Sequence, residues 1–185
     1  MILLSAVGVG LLIGIGKARW QGRAYRLPPM RFFWLVVLAY LPQLLMLLLA
    51  RKQVDVPVAT AGIMLVVSLG MLMVFVWFNR YLPGMPVLLG GLIMNLVVIM
   101  ANGGLMPISP QTASQLVSSE TAMEVGGRFG DKDVLMLPQE MRLGFLSDQF
   151  LLPAWFPYIA AFSLGDVLIG TGAFWFLVAN QRDQS

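Results

Sequence analysis

Residues 56–78 read VPVATAGIMLVVSLGMLMVFVWF, and no charged side chain interrupts them between Val56 and Phe78. A helix that crosses a bilayer needs about 20 mostly apolar residues, within a range of roughly 17–25. This stretch meets that length and is closed by Asn79 and Arg80. Working outward, four more runs have the same character. Met1 to Gly16 is closed by Lys17 and Arg19, and Phe32 to Ala50 by Arg51 and Lys52. A fourth run starts near Leu82 and reaches Ala101, before Asn102-Gly103-Gly104. The fifth covers Pro157 to Ala179 and precedes a polar tail from Asn180 to Ser185.

Composition agrees with that pattern. The chain has 185 residues, 58% of them hydrophobic and 11% charged. Soluble domains run at about 45–50% apolar and about 25% charged, so this chain lacks the polar surface to coat a soluble globule. We expect an all-α integral membrane protein: five transmembrane helices (about 1–16, 32–50, 56–78, 82–101 and 157–179) with a long exterior loop over 102–156. The loop holds six of the nine acids: Glu120, Glu124, Asp131, Asp133, Glu140 and Asp148. It has no cysteine to staple it, and it is too short for a sizeable core of its own. Ser109 as N-cap and Pro110 as first helical residue predict a short helix from 110 to about 125, stopped at Gly126-Gly127.

Charge sets the orientation. Secretory signal peptides carry their positive charge before the apolar run, whereas here Lys17, Arg19, Arg23, Arg26 and Arg31 all follow it. With that loop inside, Arg80 and Arg182 also lie inside, and the short outer loop keeps only Arg51 and Lys52. The positive-inside rule then favours an exterior N-terminus and a cytoplasmic C-terminus. Basic residues beside a cytoplasmic membrane face also attract anionic lipid, at about 1 kcal/mol each. Nucleic acid is not implied by a net charge of +3 distributed in this way.

The absence of His and Cys excludes imidazole bases, thiolate nucleophiles and the usual zinc, iron–sulfur and haem ligand sets. Neither a P-loop nor a nucleophile elbow is present. No catalytic residue and no metal ligand set is assigned, and any cofactor would have to be held by Asn, Asp, Met or backbone.

One charge, Asp166, falls inside an apolar run. An acid at mid-bilayer costs about 2.5–3.5 kcal/mol and is by default a functional candidate. Ser163, Gly170 and Ala173 share its helical face, and small residues there mark close helix contact. Gly91, Asn95 and Asn102 form a matching stripe on the fourth run, so Asn95 is positioned to donate to Asp166 and the Asn102–Gly104 turn to supply N–H groups. A structural clasp, proton or cation handling, and ligand contact all remain open. Gly10-Leu-Leu-Ile-Gly14 is a GxxxG pattern, which packs either within the bundle or against another subunit. Pro42 should kink the second helix beside the amide Gln43.

Two stretches carry a resemblance. Asn102-Gly103-Gly104-Leu105-Met106-Pro107-Ile108-Ser109-Pro110 and Phe162-Ser163-Leu164-Gly165-Asp166-Val167-Leu168-Ile169-Gly170 resemble the signature pieces of a bacterial multi-pass membrane family known as domain of unknown function 5317. The order of parts is similar over most of the chain, including the Leu82-Pro83-Gly84 turn. The resemblance implies five membrane helices and no known reaction, and it points to Asn102, Gly103, Gly104, Met106, Pro107, Gly165 and Asp166 as the residues to test. The expected function is that of a non-enzymatic accessory or structural subunit in the bacterial inner membrane, working with other membrane subunits or by self-association. The alternative is a small oligomeric carrier or channel using Asp166.

Overall fold

The computed structural model describes residues 2–52, 54, 56–116, 125–130, 132–153, 155–156 and 158–179. Glu120, Glu124, Asp131, Arg182 and the polar tail lie outside the described residues, as does half of the helix expected from 110 to 125. Among those described, six α-helices dominate: α1 (Ile2–Trp20), α2 (Trp34–Arg51), α3 (Val58–Phe78), α4 (Met85–Ala101), α5 (Pro110–Ala113) and α6 (Leu164–Ala179). Three of them, α1 to α3, are long and apolar enough to cross a membrane, while α4 and α6 are shorter apolar helices.

Several boundaries differ from the sequence reading, each for a local reason. The first helix continues past Gly16 to Trp20, because Lys17 and Arg19 are good helix formers that can sit in its last turn. The second cannot begin at Phe32, whose φ of 55° is left-handed, and it starts at Trp34. The fourth starts at Met85 after Gly84, which takes a φ of 81°. The fifth apolar run does not become helix until Leu164, because Ala161–Phe162 pairs as a strand with Phe150–Leu151.

The helices pack in the spatial order α1, α6, α4, α3, α2, so the last helix is inserted between the first and the fourth. Leu69, Phe75, Val76, Leu92, Val98, Ile99 and Phe176 form the main core. Inside the α2–α3 pair, Gln43 Nε2 donates to Ser68 Oγ at 2.9 Å, and Ser68 in turn donates to the Ala39 carbonyl. Pro42 cannot donate its own backbone bond, and side-chain hydroxyls commonly satisfy carbonyls loosened near such a proline. At one end of the bundle, Asn79 caps α3 and clamps Arg31 by both backbone groups. Its Oδ1 accepts from Arg31 N at 2.8 Å, and its Nδ2 donates to Arg31 O at 2.9 Å.

The segment between α4 and α6 corrects the all-α expectation. β1 (Met106–Ile108) pairs parallel with β3 (Asp133–Leu135), which pairs antiparallel with β2 (Arg128–Phe129). β4 (Phe150–Leu151) pairs with β5 (Ala161–Phe162). Ser109 caps α5 by accepting from Thr112 N at 3.1 Å, yet α5 ends at Ala113. The expected helix end before Gly126-Gly127 falls on residues 117–124, outside the described residues; Gly126 and Gly127 themselves lie beside β3. They exchange backbone bonds with Leu135, at 2.7 and 3.0 Å. A small core of Ile108, Ala113 and Leu135, flanked by Leu116, Phe129 and Ala161, supports this layer.

Candidate functional site

The start of α6 is built from Ser163-Leu164-Gly165-Asp166. Ser163 Oγ accepts from Asp166 N at 3.1 Å, and Asp166 Oδ2 accepts from Ser163 N at 3.3 Å. This is a capping box, with aspartate in the place usually held by glutamate. Ser-x-x-Asp before an apolar run is a helix-start signal, and it sets the start of α6 within the apolar run 157–179. Asp166 therefore sits in the first turn of α6, at the border with the strand layer and not deep within the helix.

Close backbone approach brings α4 to this turn. A Cβ on Gly91 would lie 2.5 Å from Gly165 O, and a Cβ on Gly172 would lie 2.5 Å from Leu88 N and 2.7 Å from Gly84 O. A Cβ on Gly165 would collide with Asn95 Oδ1. Gly84 and Gly91 thus oppose Gly172 and Gly165, with the same spacing of seven on both helices. Gly170, grouped with Asp166 by the sequence reading, instead lines the α1 side of α6.

With the helices this close, Asn95 is only 5% exposed and reaches both polar groups of the capping box. Its Nδ2 donates to Asp166 Oδ1 at 2.8 Å, and its Oδ1 accepts from Ser163 Oγ at 3.0 Å. The strand layer completes the site. Met106 N donates to Lys132 O at 2.9 Å at the start of the β1–β3 pair, which holds Lys132 above α6. Lys132 Nζ lies 2.7 Å from Asp148 Oδ2 and 3.4 Å from Asp166 Oδ2. Lys132 and Asp148 escaped the sequence reading because no spacing along the chain brings them together.

The Asp166 carboxylate only accepts here, from Asn95, Ser163 and Lys132, which is the pattern of an ionised carboxylate. For Lys132, burial opposes the charged form, but attraction from Asp148, Asp166 and Asp133 outweighs it and holds the ammonium above the usual lysine range. For Asp148, burial pushes the carboxyl up, Lys132 pulls it down and Asp166 pushes it further up, leaving it above the usual carboxylate range.

A pH prediction follows for Lys132. Its stabilising contribution is fully present below the unfolded lysine value of about 10.4. It is lost only as pH rises through the higher folded value. Circular dichroism melts of Lys132→Met and the wild type should therefore differ by a constant amount from pH 7 to 10. A gap that closes below pH 10 would contradict the ion pairing of Lys132.

The NGG turn serves a neighbouring contact. Asn102 Nδ2 donates to Val98 O at 2.7 Å and to Arg142 O at 2.8 Å, while its Oδ1 accepts from Arg142 N at 2.9 Å. This repeats at α4 the clamp that Asn79 makes at α3. The turn does not supply N–H groups to Asp166, because Gly104 N donates to Ile99 O at 2.8 Å. Gly103 and Gly104 have φ of 84° and 100°, and Gly104 lies against Gly62, where an added Cβ would be 3.0 Å from Gly62 Cα. Met106 and Pro107 are fully buried in β1. Gly10 and Gly14 lie against Leu177 of α6, and Tyr25 Oη donates to Leu177 O at 3.1 Å.

Among the described residues no cluster of three or more acids could hold a metal ion. A groove of about 510 Å³ opens between α1 and α6, lined by Ala6, Val9, Phe156, Phe162, Val167 and Phe174 among others. It carries no ionisable side chain, so the polar chemistry is concentrated at the Asp166 cluster. In comparisons with known proteins, residues 28–178 match a family described as a family of unknown function, DUF5317. No curated protein and no solved structure matches.

Proposed function

The chain belongs to the family of unknown function DUF5317, and from the geometry of its own site we propose that it is a non-enzymatic integral membrane protein acting as an accessory or structural subunit of a larger membrane complex. In this reading α1, α2, α3, α4 and α6 all cross the bacterial cytoplasmic membrane, with the N-terminus outside and the C-terminus inside. At about 1.5 Å per residue, α4 and α6 are short for a bilayer core of about 30 Å. Local thinning of the bilayer and the turns that flank these helices cover the difference. Only 17% of the span Leu3–Trp20 and 11% of Trp34–Arg51 are buried in the chain, so the broad apolar faces of α1 and α2 meet lipid or partner helices.

One observation carries the subunit reading. The polar side chains Asn95, Ser163 and Asp166 are bonded to one another and to Lys132, so they fasten the strand layer onto the α4–α6 pair. This favours a protein that displays a fixed exterior surface. The carrier or channel reading needs polar groups continuing toward the other end of the bundle. There Ser68 is engaged by Gln43 and Ala39 O, and Thr171 lines the apolar groove beside α1.

At the opposite end Lys17, Arg19, Arg23, Arg26 and Arg31 accompany the exposed Trp20. This is a cytoplasmic face suited to anionic lipid headgroups. Purification in a gentle detergent tests the proposal: partner chains should co-migrate at fixed stoichiometry with the wild type. A lone monodisperse homo-oligomer would overturn it. Because the chain lacks cysteine, a single cysteine at Gln139 should react with an impermeant maleimide from outside intact cells, and one at Gln21 should not.

A further inference from the structure

Asp148 is 1% exposed and stands beside the site without sharing its hydrogen bonds to Asn95 and Ser163. Its Oδ2 meets Lys132 Nζ at 2.7 Å, while its Oδ1 is buried with no hydrogen-bond partner. The same ammonium also reaches Asp166 Oδ2, so two carboxylates share one lysine. A buried site with an uncompensated negative charge is costly, and two acids in one site drive one of them to hold a proton. Both oxygens of Asp166 already accept hydrogen bonds, whereas Asp148 has a bare one.

We propose that Lys132, Asp148 and Asp166 form a proton-binding site in which one exchangeable proton resides on Asp148 as the carboxylic acid. On uptake, hydronium gives up one O–H bond and becomes water as an O–H bond forms at Asp148 Oδ1; release is the reverse, and no electron moves. The loaded trio is electrically neutral, with Lys132 positive and Asp166 negative, and release leaves it with one excess negative charge. Asp133 on β3 acts on Lys132 from beside the trio and helps to keep the ammonium charged. Protons reach the site past Lys132 and Asp166, whose side chains are 38% and 23% exposed. The inference rests on the cluster being the fastening of the strand layer, and it adds that the fastening is proton-loaded.

Infrared difference spectra of the full chain in detergent micelles test it directly. At pH about 5 an ordinary aspartate of pKa about 3.9 is more than nine-tenths ionised, yet the wild type should still show a protonated carboxyl band that disappears on further titration. Asp148→Asn should lose that band, Asp148→Glu should retain it at an altered frequency, and Asp166→Asn should shift its titration to lower pH. A wild type with no such band, or a band that persists in Asp148→Asn, overturns the proposal even if another variant fails to fold. Hydrogen exchange of the strand layer in Asp166→Ala separates the two readings. An unloosened layer with the band intact removes the fastening and keeps the proton site, and a loosened layer without a wild-type band does the reverse.

Discussion

Replacing Gly165 with alanine should destabilise the protein by about 2–4 kcal/mol, although alanine is the better helix former. In a helix interior the exchange ordinarily gains up to about 1 kcal/mol. Here the new methyl group would collide with Asn95 Oδ1 and lie 2.9 Å from Gly91 O. Asn95 cannot swing away freely, because its amide is bonded to Asp166 and its carbonyl oxygen to Ser163. The helices must separate, at about 1–3 kcal/mol for overpacking, and each of the two bonds lost adds about 1 kcal/mol. Gly90→Ala is the control, since nothing lies within 4 Å of its added Cβ and it should be neutral or stabilising. Unfolding in mixed micelles of rising SDS content measures both. Equal effects at the two positions would mean that α4 and α6 do not cross backbone to backbone.

Asp166→Ala should cost about 2–3 kcal/mol by the same assay, through a different route. It strips an acceptor from Asn95 Nδ2 and from Ser163 N, and an unmet buried donor costs about 1–3 kcal/mol. Lys132 loses its longer contact and keeps Asp148 at 2.7 Å, and its partial exposure discounts that part of the loss. Asp166→Asn preserves an acceptor oxygen and should cost about half as much. Should the asparagine and alanine variants prove equally unstable, charge would matter more than hydrogen bonding at this position.

How far the site could be read in advance differs from residue to residue. Hydropathy located the long helices, because a run such as 56–78 has one interpretation at that length. Asp166 stood out because it was a charge within an apolar run, and Asn95 because it lay on a small-residue stripe. The strands were invisible: two or three residues per strand are too few for an alternating pattern to register. Without the β1–β3 pairing, Lys132 and Asp148 were simply charges in a loop. The choice of Gly165 and Gly172 over Gly170 was also beyond reach, since the face that α6 presents to α4 depends on where α1 packs. The capping box was legible and was obscured by reading the helix too far toward its N-terminus.

The central claim is that the polar cluster fastens the strand layer to the α4–α6 pair, and amide hydrogen exchange of Asp166→Ala against the wild type tests it most directly. Met106 N and Leu135 N, which donate to Lys132 O and Gly127 O, should exchange at least about tenfold faster, equivalent to about 1.4 kcal/mol. Unaltered protection at Met106 and Leu135 would contradict the account.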